Sequence, residues 1–180
     1  TRYTVQTVCH PERDLIAGSV SAKGARPAVS LRFPYPTGAH TDDGCDWTAT
    51  DRHQTQLAGQ TGHTAILRRQ LDATAYYVRL TWDGEARLTE KAPHYWVLTS
   101  QDDKPLTFSC EFLEKEEDAA HADAEEKAQT ATPATADSSS LFARHSSSSA
   151  AYWQRFWTEG AAVDFSHCKD PRAKELERRV

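Results

Sequence analysis

Apolar side chains recur at every second position in several short segments between residues 1 and 112. The clearest segment is Tyr76–Trp82, in which four apolar side chains alternate with their neighbours: Tyr76, Val78, Leu80 and Trp82. Alternation of this kind places the apolar set on one face of an extended chain and is typical of a half-buried strand. Turn residues separate the segments. The pattern therefore predicts a mainly β fold, an antiparallel β-sandwich over residues 1–112.

Six other segments carry weaker forms of the same pattern. They are a short one around Tyr3, Val5 and Val8, and then Pro27–Phe33, Thr64–Leu71, Ala86–Leu88, His94–Thr99 and Leu106–Phe112. Asp72-Ala73-Thr74 predicts a turn into the Tyr76 strand. Asp83-Gly84 is a strong hairpin signal, so the strands on either side of it are expected to pair with each other.

The stretch Leu31–Trp47 combines prolines, glycines, carboxylates and aromatic rings at high density. Pro34 and Pro36 restrict the residues before them to extended conformations, and two prolines argue against an ordinary strand. A solvated linker would not carry so many aromatic residues. The stretch is therefore predicted to be an ordered loop laid against a sheet, a kind of segment that often carries function.

Six side chains in and after this loop are of metal-ligand type: His40, Asp42, Asp43, Cys45, Asp46 and His53. Metal binding needs these ligands to converge, which spacing alone does not establish, and aspartates also bond their own backbone in turns. Paired catalytic carboxylates and sugar contact are two further interpretations. The residues predicted to bind substrate are His40, Asp42, Asp43, Asp46 and Trp47. No catalytic residue, metal site or cofactor motif is predicted.

Residues 113–151 differ in composition from the rest of the chain. They are rich in alanine and acidic residues at first, and then in Thr, Pro and Ser. Such a segment has almost no apolar face with which to dock, so it is predicted to be a low-complexity linker, disordered or transiently helical.

A short amphipathic helix is predicted at Ala150–Trp157, followed by Gly160 as its stop. Trp153, Phe156 and Trp157 lie at i, i+3 and i+4 and form one aromatic stripe, which is interpreted as an interdomain packing surface. Residues 152–180 are therefore assigned to this linker helix and to the start of a helical domain.

Asp170-Pro171 is a helix start, with an N-cap residue followed by proline at the first helical position. Good helix formers continue to Val180 without a glycine stop, and the sequence contains no methionine. The chain is therefore expected to be a fragment of a longer protein.

The net charge of −5 argues against nucleic acid and anionic membranes as partners. No apolar run approaches the roughly 18 residues of a membrane span. The four cysteines, Cys9, Cys45, Cys110 and Cys168, are far apart and form no CxxC pair. Their spacing does not decide between disulfides and buried free thiols.

Two blocks of the sequence resemble a family of fungal and bacterial six-hairpin glycosidases. The first consists of Phe33–Gly38, Asp42-Asp43, Asp46-Trp47, His53, Arg69–Asp72 and the Tyr76 strand. The second consists of Trp153, Phe156, Trp157, Val163–Ser166 and Asp170–Val180. The second block is the more specific, because its order of helix, extended piece and Asp-Pro-Arg-Ala helix start is unusual.

The resemblance implies an N-terminal sandwich of the large mutarotase-like super-sandwich type, a helical linker, and an (α/α)6 barrel that carries the catalytic acid. The barrel would begin near Asp170 and continue past Val180, so no catalytic carboxylate is assigned to this chain. The implied function is the non-catalytic part of a glycoside hydrolase acting on an α-linked oligosaccharide or polysaccharide. Its implied partners are the carbohydrate and the barrel, it needs no cofactor, and an extracellular location is the one that a glycan-degrading enzyme favours.

Two alternatives remain open from the residues alone. One is a carbohydrate-binding or adhesion sandwich with no catalysis in the parent protein. The other is a protein-interaction module that docks through the Trp153 helix.

Overall fold

The computed structural model describes residues 1–115, 140–160 and 163–179, which are mainly β with antiparallel sheets, as predicted. The eleven described strands are β1 Arg2–Cys9, β2 Leu15–Lys23, β3 Ala28–Arg32, β4 Tyr35–Pro36, β5 Cys45–Asp46, β6 His53–Thr61, β7 Thr64–Leu71, β8 Thr74–Trp82, β9 Ala86–Ala92, β10 Tyr95–Ser100 and β11 Leu106–Leu113. The two described helices are α1 Leu141–Glu159 and α2 Ala173–Arg179.

The strands form two main sheets and one small ladder. A six-stranded sheet has the order β1-β2-β11-β8-β7-β6, and a three-stranded sheet has the order β3-β10-β9. Strands β4 and β5 pair only with each other. All pairings are antiparallel. Strands β7 and β8 pair across the predicted turn at Asp72, where Leu71 faces Thr74.

Among the described residues, one apolar core lies between the two main sheets. The six-stranded sheet contributes alternate side chains of β7 and β8 to this core. The three-stranded sheet contributes side chains from each of its strands. The buried members are Leu31, Ala65, Leu67, Val78, Leu80, Trp82, Leu88, Trp96, Leu98 and Leu106. Both sheets thus bury their inner faces against each other, which is the sandwich arrangement that the alternation predicted.

The hairpin predicted at Asp83-Gly84 is wrong. Strand β8 belongs to the six-stranded sheet and β9 to the three-stranded sheet, so the turn carries the chain from one sheet to the other. Gly84 does adopt the left-handed φ of +75° that a tight turn requires. The local turn signal was therefore correct. The strand that follows the turn is β9, and packing in the core decides that it pairs with β10 instead of β8.

Besides the short strands β4 and β5, which lie in the predicted loop, two strands of the six-stranded sheet, β2 and β6, were not predicted. Strand β2 lies inside the six-stranded sheet and buries residues on both faces, with Leu15 and Ala17 on one and Val20 on the other. Its small and polar residues obscure the alternation. Strand β6 is an edge strand of polar composition, so only one side of it is paired and little of it is buried.

Helix α1 packs on the outer face of the six-stranded sheet, against β1, β2 and β11. It begins at Leu141, well before the predicted start at Ala150, so part of the predicted 113–151 linker is an element of the folded unit. The Ser140 hydroxyl caps the helix by accepting a bond from the Ala143 amide at 3.3 Å. The linker prediction for residues 116–139 lies outside the described residues.

Asp83 ties the start of α1 to the sandwich. Its carboxylate accepts a hydrogen bond from the Thr107 hydroxyl at 2.7 Å and another from the Leu141 amide at 2.6 Å. The Leu141 side chain is fully buried. A polar and an apolar contact thus fix the same turn of the helix, which gives the Ser-rich segment a docking point that its composition did not show.

A buried ionic group lies on the same sheet face. Glu111 binds Arg13 at 2.6 Å and Arg79 at 2.5 Å. Burial alone would raise the pKa of Glu111, but the hydrogen bonds and charges of the two arginines outweigh it and lower the pKa.

His145 of α1 meets His10 edge to face, with ring centroids 5.8 Å apart. Burial, together with the charges of His10 and Arg13, lowers the pKa of His145 to about 4.

All four cysteines are unpaired in the structure. Cys110 lies largely buried on β11, and burial followed by the charge of Glu111 raises the pKa of its thiol to about 12. A thiol of this kind is unreactive at neutral pH. The spacing left open disulfides or buried free thiols. The structure has free thiols, but Cys9 and Cys168 are exposed and not buried.

Helix α2 begins as its sequence predicted. The Asp170 carboxylate accepts a hydrogen bond from the Arg172 amide at 2.9 Å, and helical residues follow from Ala173. Val180 lies outside the described residues. Neither α1 nor α2 has the length and apolar content that crossing a bilayer requires.

Replacing Asp83 with alanine should remove the tie between α1 and the sandwich. We expect a loss of about 1.5–3 kcal/mol in unfolding free energy, the usual contribution of hydrogen bonds to a charged group. Urea titration followed by circular dichroism measures it. Asp103→Ala, in an exposed turn, is the matched control and should change stability by less than about 0.5 kcal/mol. Equal effects of the two variants would contradict the role of Asp83.

Candidate functional site

The segment Phe33–Trp47, here called the aromatic loop, is an ordered hairpin. Tyr35 faces Asp46 across the β4–β5 ladder, and the Thr37 amide donates to the Gly44 carbonyl at 3.1 Å. Gly38 has a φ of +72°, which glycine adopts without strain. The Phe33 amide also donates to the His94 carbonyl at 3.1 Å, so the loop is tied to the three-stranded sheet. The prediction of an ordered loop against a sheet is confirmed.

Tyr35 fastens the base of the aromatic loop. Its ring is buried, and its hydroxyl lies 3.3 Å from both carboxylate oxygens of Asp72, to which it donates. The same hydroxyl accepts a hydrogen bond from Arg52 at 3.0 Å, and that guanidinium lies 4.1 Å from the ring centroid. Three separate segments are therefore joined through one phenol.

Arg69 lies beneath the loop with only 1% of its surface exposed. Its Nη1 donates to the Thr55 hydroxyl at 2.6 Å and to the Gln54 carbonyl at 3.1 Å, and its Nε donates to the Tyr76 hydroxyl at 3.3 Å. Its guanidinium carbon lies 4.8 Å from the centroid of the Phe33 ring. The described partners of this charge are neutral oxygens, aromatic faces and, at 3.5 Å from Nη1, the Nδ1 atom of His94.

Two histidines are stacked beside Arg69. The rings of His53 and His94 are 3.7 Å apart at an interplanar angle of 18°. His94 Nε2 lies 2.9 Å from the Thr50 carbonyl, which can only accept, so Nε2 carries the proton. His94 Nδ1 then accepts from the Thr55 hydroxyl at 2.8 Å. A relay thus runs from Arg69 through Thr55 and His94 to the backbone.

His53 is held in its neutral form. It is 5% exposed, and burial, followed by the charges of His94 and Arg69, lowers its pKa to about 4. Its Nδ1 is buried without a hydrogen-bond partner in the described part of the chain. The imidazole is therefore uncharged at neutral pH and is costly to protonate in place.

The predicted substrate-binding residues lie along the aromatic loop, four of them exposed and Asp46 partly buried. His40, Asp42 and Asp43 are exposed in the part of the loop beyond the ladder. The Asp46 carboxylate accepts from the hydroxyl and the amide of Thr48 at 2.7 and 2.8 Å, and these two bonds lower its pKa. Trp47, next to it, is 56% exposed.

The metal interpretation of these side chains gains no support. Among residues 1–115, 140–160 and 163–179, no three His, Cys, Asp or Glu side chains come close enough to hold an ion. His53, the last of the six ligand-type residues, is buried in the stack with His94 instead. Turn formation by Asp46 is the interpretation that the geometry supports.

The sequence reasoning did not anticipate the polar cluster under the loop, whose members are Arg52, Thr55, Arg69 and His94. One signal was present. On β7 the inward positions Ala65 and Leu67 are followed at period two by Arg69, so alternation alone places a charged side chain on the core face. An inward arginine needs partners, and those come from other strands.

The aromatic stripe Trp153, Phe156 and Trp157 lies on α1 away from the sheet. These rings are 49%, 40% and 55% exposed, and they contact one another edge to face with centroids 5.2 Å apart. Their interdomain role stays a prediction. An open cleft of about 510 Å³ separates α1 from the β1–β2 turn and is lined in part by Glu12, Tyr152 and Arg155.

No family model, curated protein or solved structure matches this chain.

Replacing Tyr35 with phenylalanine should loosen the aromatic loop without emptying its core position. We expect a loss of about 1 kcal/mol, because one buried hydroxyl joins Arg52 and Asp72. Amide exchange of Thr37 should quicken by about fivefold, the local equivalent of that energy. Tyr3→Phe, at an exposed ring on β1, should change neither quantity. An unchanged Thr37 exchange rate in Tyr35→Phe would contradict the fastening role.

Proposed function

We propose that this chain is the non-catalytic β-sandwich part of a glycoside hydrolase and that its aromatic loop contacts the saccharide. The observation that carries the proposal is Trp47, a half-exposed indole on a loop that is otherwise tightly fastened. An exposed aromatic face beside hydrogen-bonding groups suits the apolar face and hydroxyls of a sugar ring. The resemblance to six-hairpin glycosidases supports the same reading, including a sandwich of the mutarotase-like super-sandwich type.

The fastening of the loop favours binding at Trp47. A loop that is ordered before binding loses less conformational entropy when a ligand arrives. The β4–β5 ladder lies immediately before Trp47, and the Asp46–Thr48 turn holds the backbone on either side of it. The indole is therefore presented from a fixed frame, and its bulk is not needed for the core.

The other predicted residues have a smaller part in this proposal. His40, Asp42 and Asp43 are exposed, so they are free to reach hydroxyls at the edge of a bound sugar. Asp46 is committed to its own turn, and its part is to orient Trp47. Catalysis belongs to the barrel that the resemblance implies, and no residue of this chain is given a catalytic role.

The aromatic stripe on α1 supports a covering domain. Three large, partly exposed rings side by side form a contiguous apolar patch, and such patches often mark interaction sites. In the proposed enzyme the helical barrel covers them. A second candidate function, a protein-interaction module without sugar binding, is favoured by the same observation, because a partner protein would bury the rings equally well.

Trp47→Ala should weaken saccharide binding. Glycan-array screening of the 180-residue chain, followed by titration calorimetry on any hit, is the measurement. We expect at least a tenfold loss of affinity, because an aromatic platform commonly contributes more than 1.4 kcal/mol. Trp153→Ala, an equally exposed indole on α1, is the matched control and should bind normally. If Trp47→Ala binds as the wild type does, or if no glycan binds, the loop is not a saccharide platform.

Replacing both Trp153 and Trp157 with serine should cost less than about 1 kcal/mol of unfolding free energy, because their rings do not contribute to the sandwich core. Trp82→Ala, by contrast, should cost about 3–5 kcal/mol, since Trp82 is buried between the sheets. Chemical denaturation provides both numbers. A large loss in the double variant would mean that the stripe stabilises this unit itself, which would remove the argument for a covering partner.

A further inference from the structure

We propose that the stacked pair of His53 and His94 is an acid-sensitive latch that holds the base of the aromatic loop closed at neutral pH and releases it as the pH falls. The release of the loop is a property of this chain alone. Its consequence, weaker saccharide contact in acid, rests on the function proposed above.

The position of His53 makes it the link between two separate parts of the fold. One side of its ring is stacked on His94 at 3.7 Å, and the Tyr35 ring meets it at 5.8 Å and 62°. His94 lies in the β9–β10 turn with a φ of +61°, a left-handed backbone conformation that is uncommon for residues other than glycine. The backbone of the same His94 accepts the Phe33 amide, so a displaced His94 takes the loop with it.

The charged and titratable groups around the stack come from five places in the fold. They are Arg69 on β7, Tyr76 on β8, Tyr35 on β4, Arg52 directly before β6 and Asp72 in the β7–β8 turn. The charges of His94 and Arg69 disfavour protonation of His53 and lower its pKa. Asp72 is the carboxylate of this group, and it is already engaged by the Tyr35 hydroxyl.

Protonation therefore finds no stable place in the closed stack. A proton on His53 Nδ1 has no acceptor among the described residues. An opened stack lets the same imidazole be hydrated. Acid thus favours the open loop by mass action.

The direction and the pH window follow from the histidine. The pKa of His53 in the closed form, about 4, lies below the value of 6.5 that an exposed histidine has. Between pH 6.5 and pH 4 the open form therefore binds more protons than the closed form. The population of the closed form decreases as the pH falls through that range. One proton shifts the opening equilibrium by up to about tenfold per pH unit, or about 30-fold between pH 6.5 and 4.5.

Amide hydrogen exchange of the complete 180-residue chain tests the latch. The reporters are the Phe33 and Thr37 amides, both hydrogen-bonded in the closed loop. After correction for the chemical pH dependence of exchange, protection in the wild type should fall by about 30-fold between pH 6.5 and 4.5. His53→Phe keeps an aromatic ring in the stack but cannot titrate, so its protection should change less than threefold. His63→Gln, at an exposed histidine, should behave as the wild type does.

An equal fall of protection in His53→Phe and in the wild type would overturn the latch. If His53→Phe does not fold, the pKa of His53 is measured directly in the wild type from its imidazole carbon shifts by NMR. A value near 4 supports the proposal, and a value of 6.5 or above overturns it.

The exchange measurement needs no saccharide, so its failure is distinct from failure of the proposed function. If the chain shows the acid-induced opening but binds no glycan, the latch proposal stands and the saccharide-platform proposal is overturned. A chain that binds glycan through Trp47 with equal affinity at pH 6.5 and 4.5 keeps the platform and loses the latch.

Discussion

The buried guanidinium of Arg69 is the constraint around which one end of the sandwich is built. A charge that is 1% exposed must be solvated by the protein, and Arg69 takes this solvation from the Thr55 hydroxyl, the Gln54 carbonyl and the Tyr76 hydroxyl. These groups lie on β6 and β8, the two strands that flank β7, so the positions of the three strands are coupled. The Phe33 ring above the same guanidinium brings the aromatic loop into this arrangement.

The second buried arginine, Arg79, is accommodated in a different way. It lies on the opposite face of the six-stranded sheet and pairs with a carboxylate, Glu111, under helix α1. A paired charge is compensated locally, whereas the charge of Arg69 has only neutral described partners and continues to act on its surroundings. Burial is the main cause of the lowered pKa of His53, followed by the charge of His94 and then by that of Arg69. The two faces of one sheet thus carry one cation that is paired with a carboxylate and one whose described partners are neutral, and the aromatic loop lies over the latter.

Sequence patterns were reliable where a single strand pair or a single turn decided the structure. The β8 alternation, the Asp72 turn and the Asp170 helix start were predicted because each depends on neighbours in the chain. The sequence patterns gave wrong predictions at Asp83-Gly84 and at the start of α1, because contacts with distant residues decide the structure there. The serine-rich turns of α1 looked like linker because nothing local shows that Asp83 accepts the Leu141 amide or that a pocket receives the Leu141 side chain.

The sequence by itself determined the mainly β class, the ordered aromatic loop and the inward position of Arg69, since period-two alternation and the stiffness of proline act over a few residues. Only the tertiary structure decided which strands share a sheet, where α1 begins and that His53 and His94 are stacked. Those outcomes depend on contacts between segments that lie far apart in the chain, such as residues 53 and 94. A pattern read along one strand carries no information about the strand that will face it.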